Sequence, residues 1–364
     1  MECSEKQSSN KYTREALSGL QVKAPDEKIR RQVQENWDRV SKPLDGLGKF
    51  EKLIAGIGAI AGTPRIDISR KAVVIMCADN GIVEEGVSQS GQEITKVVAE
   101  GMAQRDTSVG KMASVIGADT IPVDIGINCR EPIEGVVQKK IRCGTRNFKR
   151  EPAMTEEEAI HAIFVGIQMA ADCKAKGYHM IATGEMGIGN TTTSSAVAAA
   201  LLQCEAGEMT GRGAGLDDEG LARKCRVIEE AVAHYGLRDA DALKVLATVG
   251  GLDIAGLVGV CMGGALYHIP IVLDGVISLV AALVAEELLP GCREFLIASH
   301  KGKEPAMPRI LKRLGLDPVI DGELALGEGT GAVMMMALLD VALAVYHGGT
   351  TFEDMAIERY KRFS

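Results

Sequence analysis

Positive charge is the first thing that this 364-residue chain lacks. Its 41 Lys and Arg residues stand against 49 Asp and Glu residues, which gives a formal net charge of -8 at pH 7. No run of Lys and Arg longer than a few residues offsets that excess. The composition therefore argues against a nucleic-acid-binding surface, and we expect any phosphate that the protein binds to belong to a small molecule.

Paired cysteines are also missing. The nine cysteines are scattered singly, with no CxxC pair and no histidine at metal-ligand spacing. This usage is typical of reduced thiols, so the sequence predicts neither a disulfide framework nor a metal site. The first ten residues, MECSEKQSSN, lack the apolar core of a secretory signal. We therefore expect a cytoplasmic protein.

One uncharged stretch is long enough to be considered as a membrane span. Residues 254–273 carry no formal charge over 20 residues, a length that could cross a bilayer. Four glycines, His268 and Pro270 interrupt this window. The pattern is more typical of a buried glycine-rich helix followed by a short strand, so the sequence predicts no membrane protein.

The two ends of the chain differ from its middle in their pattern of apolar residues. Residues 1–24 are polar and show no apolar periodicity, so we expect a mobile or loosely docked tail. Residues 25–62 predict two amphipathic helices, at 26–39 and 47–61, because their apolar residues recur at helical spacing. A further helical segment is expected over residues 331–364.

Residues 63–330 show short apolar runs that alternate with helical patterns. The predicted strands are 72–78, 120–125, 178–183, 269–273 and 294–298, and the predicted helices are 94–104, 108–116, 155–176, 191–203, 217–234, 276–288 and 305–314. Continuous apolar strands suit a sheet that is covered on both faces. The alternation predicts an α/β fold with a parallel, doubly wound, Rossmann-like sheet flanked by helices, and in such sheets ligands lie at the carboxyl ends of the strands.

The most suggestive stretch is LALGEGTGAVMMMALLD, residues 324–340. Glycines on both sides of Glu328 allow the backbone to approach a ligand closely, and an apolar helix follows, with Leu338, Leu339 and Val341 as expected buried residues. This arrangement would mount a general base. A plain glycine-rich turn is the alternative, with Glu328 facing solvent near a helix N-terminus, where a carboxylate is favourable.

Three more glycine-rich segments precede helices. Residues 184–192, GEMGIGNTT, would expose backbone N–H groups to an anion, or would form a tight turn with a threonine cap. The segment has neither the Walker A lysine nor the GxGxxG fingerprint. Residues 210–218 precede a helix that carries Lys224, which would meet a phosphate or lie on a solvated face. Residues 248–253 contain Gly250 and Gly251, which would bring a helix to a ligand or let two helices pack.

Taken together, eight ordered motifs resemble the nicotinate-nucleotide:dimethylbenzimidazole phosphoribosyltransferase family. They are SKPLDGLG (41–48), ADNGI (78–82), EEGVS (84–88), CGTRN (143–147), GEMGIGNTT (184–192), GGLDIAG (250–256), ASH (298–300) and LGEGTG (326–331). The resemblance runs from about residue 26 to the C-terminus. It implies transfer of the 5-phosphoribosyl group of nicotinate mononucleotide to a benzimidazole nitrogen with inversion, which gives nicotinate and the α-riboside phosphate of the cobalamin lower ligand.

The resemblance also implies an architecture and a site. The family combines a large α/β domain with a small helical domain built from both chain ends, works as a homodimer on its two small substrates, and implies neither a cofactor nor a metal here. Glu328 matches the catalytic base and Glu185 the glutamate of the glycine loop. The implied phosphate and ribose contacts are Gly187, Gly189, Asn190, Thr191, Lys224, Gly213, Gly250 and Gly251, and the implied base-binding residues are Asp79, Asn80, Ser88, Gln89 and Leu326.

Two departures from the family pattern bear on the acceptor base. Asn80 stands where a family member has histidine, and Ser90 and Gly91 stand where it has an aromatic residue and a proline. The sequence therefore leaves the natural base open. The alternatives to the transferase are a non-catalytic nucleotide- or riboside-binding protein and one subunit of a hetero-oligomeric transferase that uses another base.

Overall fold

The computed structural model describes residues 12–362. Its strands are β1 (Lys71–Ala78), β2 (Asp119–Gly126), β3 (Val137–Gln138), β4 (Met180–Met186), β5 (Ile271–Leu273), β6 (Leu296–Ala298), β7 (His300–Gly302) and β8 (Ile320–Leu324). The first six form one parallel sheet in the order β3-β2-β1-β4-β5-β6, and β7 and β8 form a small parallel pair. The predicted α/β fold is thereby confirmed.

Helices cover both faces of this sheet. They are α1 (Arg14–Ser18), α2 (Glu27–Arg39), α3 (Lys49–Ala61), α4 (Glu93–Ala103), α5 (Ser108–Val115), α6 (Glu156–Ala175), α7 (Asn190–Leu201), α8 (Ala206–Met209), α9 (Asp218–His234), α10 (Ala242–Val249), α11 (Leu252–Leu266), α12 (Val276–Leu288), α13 (Met307–Leu314) and α14 (Thr330–Gly348). All eight residues of β1 are buried. Val74 and Met76 face one apolar core, and Val73 and Ile75 face the other, because successive strand residues point to opposite faces.

The strand order places a crevice beside β1. This strand pairs with β2 on one side and with β4 on the other, so the connections that leave β1 and β4 diverge. Ligands of doubly wound sheets bind at such a switch point, outside the carboxyl ends of the strands. The residues that follow β1 and β4 therefore lie where a small-molecule site is expected.

One strand boundary changes how a site residue is presented. The predicted strand 178–183 runs instead from Met180 to Met186, so Gly184 and Glu185 belong to β4 and not to the loop after it. Gly184 and Glu185 pair with Ile75 and Met76 of β1. The strand pleat, and not a flexible loop, therefore sets the direction of the Glu185 side chain.

The two chain ends pack on one another. Trp37 of α2 is fully buried and meets the ring of Tyr346 of α14 edge to face, with centroids 5.0 Å apart. Arg362 bridges Asp38 and Asp45 with N–O distances of 2.8 Å. These helices share their apolar core with one face of the sheet. We propose that the chain divides at residues 62 and 330 into a helical unit and a catalytic unit.

Part of the expected N-terminal tail forms a helix where the structure describes it. Residues 12–24 include α1, whose N-cap is Thr13, and Leu17 is buried. The ring of Tyr12 stacks on His161 of α6 at a centroid distance of 4.6 Å. Apolar contacts at Tyr12 and Leu17 dock this segment, despite its polar composition. The rest of the predicted tail, residues 1–11, lies outside the described residues.

Helix α14 is buried on one side only. Leu339 is buried as predicted, but the prediction is wrong for Leu338 and Val341, whose exposed fractions are 38% and 69%. By length and composition α14 could cross a membrane, but a single helix of this kind is weak evidence because core helices pass the same test, and 44% of its window is buried inside the structure. The remaining apolar side chains form a stripe at helical spacing, which we call the α14 stripe: Met334, Leu338, Val341 and Val345.

Candidate functional site

A cleft of about 320 Å³ opens at the carboxyl ends of β4 and β5. Residues from the segments after β4, after β5, after β7 and before α14 line it. Of the predicted site residues, the cleft brings together Glu185, Gly187, Asn190, Thr191, Gly213, Leu326 and Glu328. Two carboxylates and a helix N-terminus thus face one enclosed volume, which is an arrangement suited to proton transfer beside a bound anion.

The turn that carries Glu328 has an unusual backbone. Gly327, Glu328 and Gly329 all have positive φ, at 85°, 62° and 101°. A glutamate in this region is uncommon, and such strain persists where the surroundings hold it. The turn also packs tightly on β4, since a Cβ on Gly184 would clash with the Glu328 carbonyl oxygen. Glycine is therefore required on the β4 side of the contact.

Asp274, the residue directly after β5, holds this turn in place. Its Oδ1 accepts hydrogen bonds from the N–H groups of Gly331 (2.8 Å) and Ala332 (3.1 Å), and its Oδ2 accepts one from Gly329 (3.1 Å). Burial and the nearby Glu185 raise the pKa of Asp274 to about 7, although these backbone donors oppose the shift. The N-terminus of α14 is thus anchored by a buried carboxyl group at the end of β5.

The Glu328 carboxylate does not cap the helix that follows it. Helix α14 has Gly329 at its N-cap and no side-chain capping bond. Oε2 of Glu328 instead accepts the N–H of Val109, in the first turn of α5, at 3.1 Å. The side chain is half-buried. A carboxylate is favourable at that helix terminus, and its partial exposure leaves it open to a ligand in the cleft.

Glu185 lies deeper than Glu328. It is buried in β4, and its Oε2 accepts a short hydrogen bond from the side-chain amide of Asn190. Burial raises the pKa of Glu185, and the nearby Glu328 raises it further, whereas the Asn190 amide and the backbone of Glu328 oppose the shift. The two glutamates of the cleft therefore differ in environment, and their roles would differ too.

An anion-binding corner lies at the start of α7. Gly189 is its N-cap with φ 94°, and Asn190 and Thr191 form its first turn on the cleft wall. Lys224 of α9 is fully buried behind that wall, where Nζ donates to Thr191 Oγ1 (2.9 Å) and to the Gly211 carbonyl (3.2 Å). Burial lowers the pKa of Lys224 to about 8. The cation thus supports the corner from behind Thr191 rather than projecting into the cleft.

Several predicted residues lie away from the cleft surface. Asp79 and Asn80 are buried beneath it, where Asp79 Oδ2 accepts the N–H of Asn128 at 2.7 Å. Ser88 lies in the adjacent loop, and Gln89 is exposed and donates to the Gly215 carbonyl at 2.5 Å, which ties residues 86–90 to the loop that contains Gly213.

The remaining predicted glycines also lie off the cleft wall. Gly251, the N-cap of α11, packs against Asn80, and Gly250 caps the C-terminus of α10. Both therefore lie at a junction between helices, close to the buried residues under the cleft.

The structure adds two residues that the sequence interpretation did not assign to the site. Asp274 and His300 both line the cleft, directly after β5 and at the start of β7. His300 is buried, its Nδ1 lies 2.8 Å from Ser299 Oγ, and burial lowers its pKa. The available signal was their position after predicted strands. Within residues 12–362, no three His, Cys, Asp or Glu side chains are grouped to hold a metal ion.

Comparison with known proteins yields consistent matches. Residues 22–357 match a family model described as "Phosphoribosyltransferase". The nicotinate-nucleotide--dimethylbenzimidazole phosphoribosyltransferases of Acetivibrio thermocellus and Clostridium acetobutylicum are 43% and 42% identical, covering 90% and 92% of this chain and 94% and 96% of their own lengths. The crystal structure of CobT from Thermus thermophilus superimposes with a TM-score of 0.86 at 36% identity, over 92% of this chain and 100% of that one.

Proposed function

The chain belongs to the nicotinate-nucleotide–dimethylbenzimidazole phosphoribosyltransferase family, and from this premise we propose that its cleft moves the 5-phosphoribosyl group of nicotinate mononucleotide to a benzimidazole-type base. The products are nicotinate and the α-riboside 5'-phosphate that becomes the lower ligand of cobalamin. The observation that carries the proposal is the pairing of a half-buried Glu328 with a buried Glu185 beside the N-terminus of α7.

Glu328 acts as the general base. The attacking ring nitrogen loses its proton, and a carboxylate at the cleft surface, held by the N–H of Val109, is positioned to accept it. Glu185 lies nearer the ribose and helps to position the reacting carbon. Inversion at that carbon requires the base and the departing nicotinate on opposite faces, so much of the acceleration comes from alignment of the two substrates.

The phosphate and ribose lie at the start of α7. Gly187, Asn190 and Thr191 supply the wall, Gly189 is the N-cap of the helix, Gly213 closes the wall, and Lys224 adds positive charge through its contact with Thr191. Gly250 and Gly251 contribute by letting α10 and α11 approach the residues under the cleft.

The acceptor base lies against Leu326. Asp79 and Asn80 shape the floor of this pocket from below, and Ser88 and Gln89 contribute through the loop that contacts Gly215. These assignments are testable by base competition, in which dimethylbenzimidazole, benzimidazole, adenine and a phenol are supplied together and the products are quantified.

The test of the reaction is turnover. Purified protein is incubated with nicotinate mononucleotide, with and without dimethylbenzimidazole, and both nicotinate and the riboside phosphate are quantified. Nicotinate release that depends on the base, in equal amounts with the riboside phosphate, is the expected result. Tight binding of the nucleotide without release, for every base supplied, would favour the non-catalytic binding protein or a subunit of a hetero-oligomer.

The active form in this proposal is a homodimer. The α14 stripe offers four exposed apolar side chains along one helix face, the kind of surface that subunit contacts cover. Leu338→Lys combined with Val341→Glu should convert a dimer to a monomer in sedimentation velocity. Tyr267→Glu is the control, because Tyr267 is similarly exposed but follows α11, which packs on the opposite face of the sheet. A wild-type monomer at micromolar concentration would contradict the dimer.

The proposed setting is cytoplasmic, with small molecules and a second copy of the chain as the partners, and with no nucleic acid or membrane. Support comes from the acidic net charge and from the α14 stripe, which suits a subunit contact. Fractionation of the native host, followed by detection of the protein, tests the location.

A further inference from the structure

A buried carboxyl group that the proposed reaction does not use lies directly beneath the cleft. Asp253, in the first turn of α11, is fully buried. Its Oδ1 accepts the N–H of Ile254 at 2.9 Å, whereas its Oδ2 has no hydrogen-bond partner among the described residues. An ionised carboxylate with one bare oxygen is costly in such a place.

A second bare oxygen belongs to a neighbouring side chain. Asn80, after β1, is also fully buried, and its Oδ1 lacks a partner within the described part of the chain. A Cβ built on Gly251 would clash with both Asn80 Oδ1 and Asp253 Oδ1, so the two side chains meet across this glycine. Gly187 makes the same junction from the other side, where a built Cβ would clash with Asp253 Oδ2 and would lie 3.2 Å from Asn80 Nδ2.

Asn80 Oδ1 and Asp253 Oδ1 border the same glycine, so a proton on Asp253 would give Asn80 Oδ1 the donor that it lacks. A neutral carboxylic acid has one O–H donor, and the amide oxygen of Asn80 is an acceptor. An ionised Asp253 would offer Asn80 Oδ1 no donor and would keep two buried acceptors beside the same glycine. The glycines at 187 and 251 leave no room for a side chain that would separate them.

The charged surroundings act in the same direction. Glu185 on β4 and the thiol of Cys77 on β1 are close enough to Asp253 to interact electrostatically with it. The amides of Asn190, from α7, and Asn80 favour the charged form, as does the N–H of Ile254, but burial and Glu185 outweigh them and raise the pKa of Asp253 from 3.8 to about 7.

We propose that Asp253 is a positioning residue that works as a neutral carboxylic acid, whose O–H donates to the side-chain oxygen of Asn80 and so fixes the floor of the base pocket. Asp253 touches neither substrate, and it acts through Asn80 and through the Asn190 amide that holds Glu185. The proposal rests on the proposed function only for its kinetic consequence. Its structural part, the protonation of Asp253, stands without any substrate.

The decisive variant is Asp253→Asn, because an amide mimics the shape and the donor of the neutral acid. In the wild type, the folded-state pKa of Asp253 lies above the unfolded value, so ionisation of this group costs stability as the pH rises from about 4 to about 7. The variant escapes this cost. Its melting temperature relative to wild type should therefore rise between pH 5 and pH 8, by about 4 °C.

Turnover supplies the second readout. At pH 6.5 Asp253→Asn should keep its turnover number and its Michaelis constant for the base within about threefold of wild type, whereas Asp253→Ala, which has no donor, should raise that Michaelis constant about tenfold or more. Above pH 7 the wild-type Michaelis constant should rise, and the Asp253→Asn profile should stay flat. Asp253→Ser keeps a hydroxyl donor and is the second neutral variant if the asparagine variant does not fold.

The matched control is Asp241→Asn. Asp241 is the N-cap of α10, and although burial opposes the shift, its hydrogen bond with Arg14 lowers its pKa. Its melting-temperature difference from wild type should not change between pH 5 and pH 8. An Asp253→Asn difference that is equally constant would overturn the neutral-acid proposal, and so would a hundredfold loss of turnover at pH 6.5. A wild type without transferase activity would defeat the proposed function alone, since the melting experiment would still report the protonation of Asp253.

Discussion

Two glycine-rich segments of this protein look alike in sequence and behave differently in the structure. Each carries a glutamate among glycines, GEMGIGN at residues 184–190 and LGEGTG at residues 326–331, and each leads into a helix. In the first segment Glu185 belongs to β4 and is buried, and its carboxylate is bound by Asn190. In the second, Glu328 lies in a turn with three positive φ angles, is half-buried, and reaches the N-terminus of a different helix.

The difference separates a buried carboxyl group that is fixed by a hydrogen bond from one that stays partly exposed in the cleft. A strand residue with a hydrogen-bonded side chain can position a substrate but has little freedom to exchange protons with it. A residue on a strained turn is held in place by its anchors, here Asp274 and the close contact with Gly184, while its side chain stays accessible. The two environments therefore agree with the roles that we propose, positioning for Glu185 and general base for Glu328.

The largest expected effect comes from removal of the basicity of Glu328. Glu328→Gln should lower turnover about a hundred- to ten-thousand-fold, which is the usual contribution of a positioned general base. Its stability should change by less than about 1 kcal/mol, because the amide oxygen can still accept the N–H of Val109. Turnover and melting temperature are measured on the same variant.

A control for this prediction is Glu323→Gln, since Glu323 also has a positive φ, of 53°, but is exposed. It should leave turnover unchanged. If Glu328→Gln lowers only the melting temperature and leaves turnover intact, Glu328 is a structural cap for α5 and the contrast between the two glutamates disappears.

The second effect should follow from loss of the anchor. Asp274→Ala leaves the N–H groups of Gly329, Gly331 and Ala332 without their acceptor, so we expect a loss of about 3 kcal/mol in the free energy of unfolding together with a clear fall in turnover. Chemical denaturation and steady-state kinetics measure the two quantities. Asp26→Ala, at the N-cap of α2, should lower the melting temperature slightly and leave turnover alone. Equal kinetic effects of the two variants would show that the anchor does not position Glu328.

The third effect concerns the first loop. Lys224→Ala should raise the Michaelis constant for nicotinate mononucleotide about tenfold with a smaller change in turnover number, because Lys224 supports the phosphate corner through Thr191, far from the reacting carbon, and that support is shared by ground and transition states. In the wild type this Michaelis constant should rise above pH 8, where Lys224 loses its proton. Arg226→Ala, a cation on the same helix, is the control. A collapse of turnover at constant Michaelis constant would contradict the placement of Lys224.

The smallest effect should come from the contact between Glu185 of β4 and the turn that carries Glu328. Gly327→Ala places a Cβ 2.7 Å from Glu185 Oε1 at a φ of 85°, so we expect a loss of about 1–2 kcal/mol plus a loss of activity. Gly291 has a similar φ, of 94°, and no neighbour within 4 Å of a built Cβ. Gly291→Ala should therefore lose only the free energy of unfolding that comes from placing alanine at a positive φ. If both variants have the same turnover, the contact between Gly327 and Glu185 does not contribute to activity.

The sequence predicted most elements of the sheet because burial on both faces leaves a clear pattern. The strand at 72–78 and the helix at 276–288 agree with Lys71–Ala78 and Val276–Leu288 to within a residue. It missed the short pair β7 and β8, whose exposed, charged residues carry no such pattern. It also overestimated burial on α14, since an apolar helix that lies at the protein surface has the same composition as one inside.

For the candidate site, glycine spacing and strand ends were sufficient to single out Glu328 and the start of α7, whereas Glu185 was implied by the family resemblance. They could not separate residues that line the cleft from those that support it, such as Lys224 and Asn80, because that distinction depends on depth. Asp274 and His300 were visible only as polar residues after predicted strands. Their roles appear once β5, β7 and the N-terminus of α14 are brought together.

The sequence by itself determined the α/β class, the order of the motifs along the chain and the family, because local apolar periodicity and glycine spacing are properties of neighbouring residues. Only the tertiary structure decided which glutamate is buried, which helix end receives Glu328, and how Asp253, Asn80 and Glu185 share one interior. Those outcomes depend on contacts between residues far apart in the chain, and the cost of burying a charge is set by everything that surrounds it.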